Sequence, residues 1–102
     1  MKIRILPEAE RDLEIGADFY ESQSPGLGRS FTDCLLSDIE SLLIYAGVHA
    51  RQHGLHRGMS KRFPFAIFYD VHEALIAIYA VLDCRQDPES IGNRLSRTNA
   101  PT

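Results

Sequence analysis

The spacing of apolar residues changes character halfway along this chain. Two stretches, 9–20 and 31–43, place apolar side chains at every third or fourth position, as helices buried along one face do. From 63 to 82 the apolar residues first alternate and then run almost continuously, which is typical of a half-buried strand followed by a central one. A chain of 102 residues has room for one such core. The pattern therefore predicts one α+β domain, in which a two-helix hairpin packs on one face of a small antiparallel sheet.

Proline, glycine and polar clusters set the expected boundaries of the first elements. A short strand over Lys2–Leu6 ends at Pro7, which suits the first turn of a helix. Ser24-Pro25-Gly26 separates the two helices, and Gly47 ends the second one. The short break between the helices predicts that they run antiparallel.

The second half is expected to supply most of the sheet. A polar loop over His49–Arg57 should lead into strands over Met59–Arg62, Phe63–Val71 and Leu75–Leu82, followed by a short helix from Asp87. The predicted order is therefore β-α-α-β-β-β with a short C-terminal helix, and the sheet face opposite the hairpin is expected to be partly open. Residues 1–97 form this single domain, while residues 98–102 are predicted to be a frayed tail.

Charge is distributed unevenly between the two halves. The net charge is −3, but residues 1–50 carry −5 and residues 51–102 carry +2. No acid lies between Glu40 and Asp70, and that gap contains four cations and three histidines: Arg51, Arg57, Lys61, Arg62, His49, His53 and His56. Such a local patch could attract an anion. Charge alone favours a simpler interpretation, which is a solvated loop and strand face.

Simple counts exclude other classes of protein. No apolar run approaches the length of a membrane span, and the first residues lack the long apolar stretch of a signal peptide. Two cysteines, Cys34 and Cys84, are too few for a disulfide scaffold. We therefore expect a cytoplasmic protein that does not contact a membrane.

Four segments together resemble the RelE/ParE toxin family, and especially its ParE-like, plasmid-stabilisation branch. They have the order and spacing that the family has, and they span most of the chain. They are Leu6-Pro7-Glu8-Ala9-Glu10-Arg11-Asp12-Leu13, Phe19 to Gly28 with Phe31 after it, Arg62-Phe63-Pro64-Phe65-Ala66-Ile67-Phe68-Tyr69, and Ala80-Val81-Leu82 with Arg85-Gln86-Asp87-Pro88 and Arg94 after it.

The resemblance implies the toxin of a bacterial type II toxin–antitoxin system. Such a toxin needs no cofactor and is neutralised by a cognate antitoxin, with which it forms a hetero-oligomer. ParE-like toxins inhibit DNA gyrase, whereas RelE-like toxins are mRNA interferases that cut messenger RNA in the ribosomal A site. The sequence motif covers both activities, so whether the chain is an enzyme stays open.

If the chain is a metal-independent endoribonuclease, its candidate catalytic residues are Arg57, Arg62, Tyr69, Asp83 and Arg85. The arginines suit phosphate because the planar guanidinium donates two hydrogen bonds. Asp83 stands where many relatives have a histidine, and a carboxyl group with an ordinary pKa near 3.9 is a poor acid at pH 7. The favoured interpretation of Tyr69 is an aromatic residue on the apolar face of a sheet.

Inhibition of gyrase requires a binding surface rather than a catalytic set. The candidate target-binding residues are Lys61, Arg85, Arg94 and Arg97. Arg85 or Arg94 could instead pair with Asp87 or Glu89 at a helix end. No metal site is expected, because His49 and His53 stand at a helical spacing beside helix-breaking glycines and without a Cys or acid to complete a ligand set.

The weak catalytic set favours gyrase over mRNA as the target. The sequence leaves two further alternatives open. One is an inactive family member that folds and binds its antitoxin without harming the cell. The other is a protein-interaction module that has no toxic role.

Overall fold

The computed structural model describes residues 1–98, and it confirms the predicted α+β class. Five strands and four helices occur in chain order: β1 Lys2–Ile5, α1 Pro7–Gln23, α2 Leu27–Glu40, α3 Leu42–Tyr45, β2 Arg51–Gln52, β3 Leu55–Met59, β4 Phe65–His72, β5 Leu75–Asp83 and α4 Pro88–Thr98. The predicted two-helix hairpin and short C-terminal helix are both present. Of the predicted tail, 98–102, Thr98 belongs to α4 and residues 99–102 lie outside the described part of the chain.

The sheet is mixed rather than wholly antiparallel. Its strand order is β1-β5-β4-β3-β2, and β2 to β5 are antiparallel to their neighbours in sequence. β1 instead lies parallel to β5, with Lys2 opposite Leu75 and Ile5 opposite Ile78. Short turns force neighbouring strands of a hairpin to run antiparallel. No short turn joins β1 to β5, because the helices and three strands intervene. The direction of β1 is therefore set by packing alone.

Two glycines and one carboxylate shape the turn between α1 and α2. Gly26 has a φ of 87°, a left-handed conformation that glycine adopts without strain. The Glu21 carboxylate accepts hydrogen bonds from the backbone N–H groups of Gly26 and Gly28, each at 3.0 Å. An added Cβ at Gly28 would lie 2.6 Å from the carbonyl oxygen of Ala17. The helices therefore approach closely at this position, and only glycine fits there.

The main core lies between the helical hairpin and the sheet. Phe31 of α2 is fully buried, and its ring packs against those of Tyr20, Phe63 and Phe65 with centroids 4.8–5.2 Å apart. Gly16 of α1 makes room for the Phe31 ring. The sequence predicts that the second helix continues to Gly47, but the helix is interrupted at Ser41. Its last turn is the separate helix α3.

The predicted loop over His49–Arg57 is wrong, because this segment contains the β2–β3 hairpin. His53 and Gly54 form its two-residue turn with φ values of 55° and 82°, as tight hairpins require. A non-glycine residue with positive φ gives little signal in a sequence. The strand predicted over Met59–Arg62 is also misplaced, since β3 ends at Met59 and the chain bends before β4.

α4 covers part of the second sheet face. Leu95 of α4 is fully buried and packs with Leu55, Ala66, Phe68, Ala80 and Leu82 in a second core. A bulge in β5 makes this possible: Phe68 pairs with Ala80 and Tyr69 with Ile78, so Tyr79 is the extra residue. Beyond the bulge the alternation of β5 is reversed, and Val81 rather than Ala80 faces the helical hairpin.

Candidate functional site

The side chain of Arg94, a predicted target-binding residue, contacts carboxylates of α1 in the same chain. Its Nη1 and Nη2 donate to the two carboxylate oxygens of Asp12 at 2.7 and 2.8 Å, and its Nε lies 3.3 Å from Glu8. Asp87 and Glu89, the alternative partners suggested by the sequence, do not take part in this contact, because Arg94 lies on the face of α4 that turns towards α1. These hydrogen bonds to the Asp12 carboxylate raise the pKa of the Arg94 guanidinium.

Asp12 has a second role, at the bulge in β5. Its Oδ2 accepts a hydrogen bond from the Val81 backbone N–H at 3.0 Å. β1 pairs with β5 only as far as Ile78, so a side chain takes the place of a strand partner beyond that residue. The carboxylate therefore connects α1, β5 and α4. Asp12 belongs to the N-terminal segment that resembles the RelE/ParE family, but sequence reasoning assigned it no role.

Arg57 lies on the sheet face that α4 partly covers. Its Nη2 donates to the Cys84 sulfur at 3.3 Å. Beside it is a groove of about 200 Å³, whose wall includes Gln52, Gln86 and Pro88. The guanidinium and two amide side chains thus border one concave surface, which could hold a phosphate or a carboxylate.

Tyr69 lies on the opposite face of the sheet and is fully buried. Its hydroxyl accepts a hydrogen bond from the Gly47 N–H at 3.0 Å and lies 2.5 Å from His49 Nδ1. The His56 ring stacks on the Tyr69 ring at 5.1 Å. Arg57 and Tyr69 are therefore separated by the sheet and cannot contact the same phosphate group. The placement of Tyr69 agrees with the favoured sequence interpretation, an aromatic residue on the apolar face.

Asp83, the last residue of β5, forms a close ion pair with Arg85. Arg85 Nη2 donates to Asp83 Oδ2 at 2.7 Å, and Arg85 Nε donates to Oδ1 at 3.0 Å. These hydrogen bonds hold the pKa of the Asp83 carboxyl below its usual value, and the carboxylate raises the pKa of Arg85. Asp83 is therefore ionised at neutral pH and cannot donate a proton to a leaving group.

Lys61 and Arg62 lie in the turn between β3 and β4, beside α2. Asp38 of α2 is buried and accepts hydrogen bonds from the Ser60 hydroxyl at 2.6 Å and the Lys61 N–H at 3.2 Å. The Lys61 side chain is exposed, and Arg62 Nη1 donates to the Cys34 sulfur at 3.4 Å. Asp38 interrupts the apolar stripe of α2 because it anchors this turn.

The predicted site residues do not form one cluster. The structure brings Asp83 and Arg85 together and places Lys61 and Arg62 in one turn. Arg57 faces a groove on one side of the sheet, Tyr69 lies in the core on the other side, and Arg97 is exposed on α4. Residues 1–98 therefore contain no set in which the five candidate catalytic residues converge.

Sequence reasoning missed an apolar slot beside α1. It has a volume of about 260 Å³ and is lined mainly by Ile15, Gly16, Phe19, Phe65, Val81 and Leu82, with Asp12, Asp83 and Gln86 at its edge. Ile15 is 61% exposed and Phe19 is 49% exposed. Their spacing of four residues, off the main stripe of Ala9, Leu13 and Ala17, was the available signal. We refer to this surface as the α1 slot.

Two further properties concern residues 1–98. No helix in this part of the chain combines the length and the apolar character needed to cross a bilayer. Within the same residues, no three His, Cys, Asp or Glu side chains are grouped as a metal ion would require. His49 contacts Tyr69, whereas His53 lies over Gly92 of α4, so the two histidines face different elements.

Comparison with known proteins gives a likeness of fold. No protein-family model and no curated protein matches the sequence. Among solved structures, the chain is similar to one from the chromosomal ParDE TA system of P. aeruginosa, with a TM-score of 0.71 and 19% identity. The match covers 79% of this chain and 92% of the other. This likeness shows that the chain shares its fold with the ParDE structure. The element order and the helical hairpin on a five-stranded sheet agree with the fold expected from the sequence.

Proposed function

We propose that this chain is the toxin of a type II toxin–antitoxin system and that a cognate antitoxin neutralises it. The observation that carries the proposal is the likeness, over 79% of the chain, to a structure of a ParDE TA system. The four sequence segments that resemble the family support it independently. They include Asp12, Val81 and Arg94, which the fold brings together.

The α1 slot is the antitoxin contact that the geometry supports best. Its wall is apolar, and Ile15 and Phe19 are large side chains that project into solvent beside it. Exposed apolar surface next to a concave wall is typical of a site that receives side chains from a partner. An antitoxin segment that orders on binding would place apolar residues there.

We propose DNA gyrase as the target. Three features support a binding role over catalysis: Arg57 and Tyr69 lie on opposite sheet faces, Asp83 is ionised, and Arg85 is engaged by Asp83. General acid–base cleavage of RNA requires proton donors and acceptors that reach the same phosphodiester. The exposed Lys61 and Arg97 with Arg85 would then contact the target by charge.

Ribosome-dependent mRNA cleavage is the second candidate. The observation that favours it is the groove beside Arg57, where Gln52 and Gln86 offer further hydrogen bonds. If this groove acts on RNA, Arg57→Ala should abolish toxicity while the protein stays folded. If gyrase is the target, the same substitution should leave growth arrest largely intact.

The test is induction of the chain alone in a bacterial host, with growth, DNA-damage response and transcript integrity read together. We expect arrest with DNA damage and intact messages. Arrest with messages cut inside codons would replace gyrase by the ribosome as the target. No arrest, with soluble folded protein present, would contradict a toxin role and would favour an inactive member or an interaction module.

The α1 slot is tested by binding to the product of the small open reading frame expected beside the gene. Phe19→Ser should weaken this binding by at least about fivefold, since truncation of an aromatic side chain buried at an interface can cost more than about 1 kcal/mol. Leu43→Ser is the matched control, because Leu43 is 48% exposed, like Phe19, but lies on α3. Equal effects of the two substitutions would contradict the assignment of the slot.

A further inference from the structure

A second exposed apolar region surrounds α3, away from the α1 slot. Within residues 1–98, six of the nine exposed large apolar side chains lie near it: Leu36, Leu43, Ile44, Tyr45, Val48 and Met59. Ile44 is 78% exposed and Val48 is 72% exposed. Scattered exposed apolar residues are ordinary, but this concentration is typical of a surface that another molecule covers.

Two grooves lie on either side of α3. The first, of about 410 Å³, is lined by Asp33, Leu36, Ser37, Glu40, Ser41 and Ile44, and we call it the acidic groove. The second, of about 220 Å³, includes Tyr45, Val48, Met59 and Lys61 in its wall, and we call it the basic groove. Ser41 lines both, so the grooves are neighbours and α3 forms a ridge between them.

The charges of the two grooves are opposite at their exposed edges. Glu40 borders the acidic groove together with Asp33, whose carboxylate lies 3.9 Å from Arg29 Nε, and the exposed side chain of Lys61 borders the basic groove. Asp38 also lines the basic groove, but its carboxylate is buried and accepts hydrogen bonds from Ser60 and from the Lys61 N–H. The exposed charge that borders this groove is therefore that of Lys61.

A two-fold contact between identical chains requires a surface that is complementary to itself. Each residue i that meets a residue j must find the reverse contact on the other side of the axis. The α3 region contains both halves of such a contact, since it has a ridge with flanking grooves and an acidic edge with a basic edge. An unrelated partner would have to carry the inverse of both patterns.

We propose that the α3 region joins two copies of this chain around a two-fold axis. Ile44 and Tyr45 of each copy lie against the grooves of the other, and Glu40 of each copy faces Lys61 of its partner. The residues of the α1 slot take no part. Self-association and antitoxin binding therefore use separate surfaces, and a substitution can abolish one of them without affecting the other.

The test uses the full-length chain made by cell-free synthesis. Sedimentation measures its mass over a wide range of concentration. We expect the mass to rise from 11.5 kDa towards twice that value as concentration increases. Ile44→Asp should abolish the rise, because it places a charge at the centre of the contact. Ile15→Asp, in the α1 slot, is the control and should leave it unchanged, since Ile15 is also exposed.

Charge reversal tests the orientation of the two copies. Glu40→Lys and Lys61→Glu should each weaken self-association by about tenfold, because each creates like-charge contacts across the axis. The double variant should restore it, since opposite charges then face each other again. As a control, circular dichroism of every variant should give the spectrum of the wild-type fold. A wild-type chain that stays monomeric at the highest concentration, or a double variant no better than the single ones, would overturn the proposal.

Discussion

The Asp12 carboxylate has a fixed set of donors that only the complete fold provides. Arg94 donates two hydrogen bonds to it at 2.7 and 2.8 Å, and Val81 donates a third from the backbone. Asp12 is 8% exposed, so its charge is largely removed from water. A buried carboxylate is tolerated when it is both paired and hydrogen-bonded. Arg94 therefore has a structural role, whatever else it contacts.

Replacing Arg94 by Ala should lower the free energy of unfolding by about 2–4 kcal/mol, because Asp12 would stay buried with a smaller set of donors. Urea denaturation of the purified chain measures this change. Arg97→Ala is the control, since Arg97 is exposed on the same helix, and should change stability by at most about 0.5 kcal/mol. Similar losses for the two variants would contradict a structural role specific to Arg94.

The Asp83 carboxyl should titrate below the ordinary aspartate pKa. Hydrogen bonds from the Arg85 side chain lower its pKa in the folded state, so the pair stabilises the fold above the unfolded pKa of about 3.9. This stabilisation is lost as the pH falls through the lower, folded-state pKa. Carbon-detected NMR titration should show the low value. Arg85→Gln should move it upwards, whereas Arg97→Gln should not. An unchanged pKa in the Arg85 variant would exclude the pair as the cause.

At the scale of elements, the α1–α2 contact depends on one small residue. An added Cβ at Gly28 would lie 2.6 Å from the Ala17 carbonyl oxygen, which is backbone and cannot move freely. Gly28→Ala should therefore separate the helices and cost about 1–3 kcal/mol of stability. Thermal unfolding followed by circular dichroism measures this loss.

Gly26→Ala provides a comparison within the same turn. Its Cβ would meet nothing within 4 Å, but its φ of 87° disfavours any side chain. We expect a cost of about 1 kcal/mol, from the backbone alone. A Gly28→Ala variant less destabilised than Gly26→Ala would show that the helices can separate without cost.

Elements whose signal is local could be predicted from the sequence, and those that depend on distant contacts could not. The helical hairpin, β4 and β5 have strong periodicity and clear breaks at Gly26 and His72–Ala74. The turn at His53 and Gly54 has no such signal, because a histidine with positive φ is uncommon. The bulge at Tyr79 and the parallel pairing of β1 are set by tertiary packing, which periodicity does not report.

The candidate site was predictable only as a set of residue types. Arg57 and Tyr69 lie on opposite faces of the sheet, and Arg94 lies at the contact between α1 and α4. These positions follow from the pairing register of the strands and from the bulge in β5. Asp12 and the α1 slot were missed for a related reason. The role of one acid cannot be read from the sequence of a helix that contains many acids. The same holds for two apolar residues at one edge of an apolar stripe, because their neighbours in the fold decide what they contact.

At the scale of the whole molecule, cations lie mainly in the sheet and the C-terminal segment, and acids mainly in the hairpin. Residues 51–102 carry a net charge of +2, against −5 for residues 1–50. If Arg85 and Arg97 contact an acidic target, Arg85→Glu with Arg97→Glu should slow association severalfold, and more at low salt. Binding kinetics with purified gyrase measure this. Glu10→Lys, on α1, is the control. Equal rates for the double variant and the wild type would exclude this surface.

The Asp12–Arg94 contact also makes closure of the fold depend on residues far apart in the sequence. The two residues stand 82 positions apart, so Arg94 is synthesised long after Asp12. Any chain that stops short of it leaves the Asp12 carboxylate without its cation and the second core without Leu95. A ribosome that stalls or terminates early would therefore release a polypeptide unable to close its fold. If the chain is a toxin, as proposed, fragments that lack Arg94 would be harmless, and only molecules that contain it would require neutralisation.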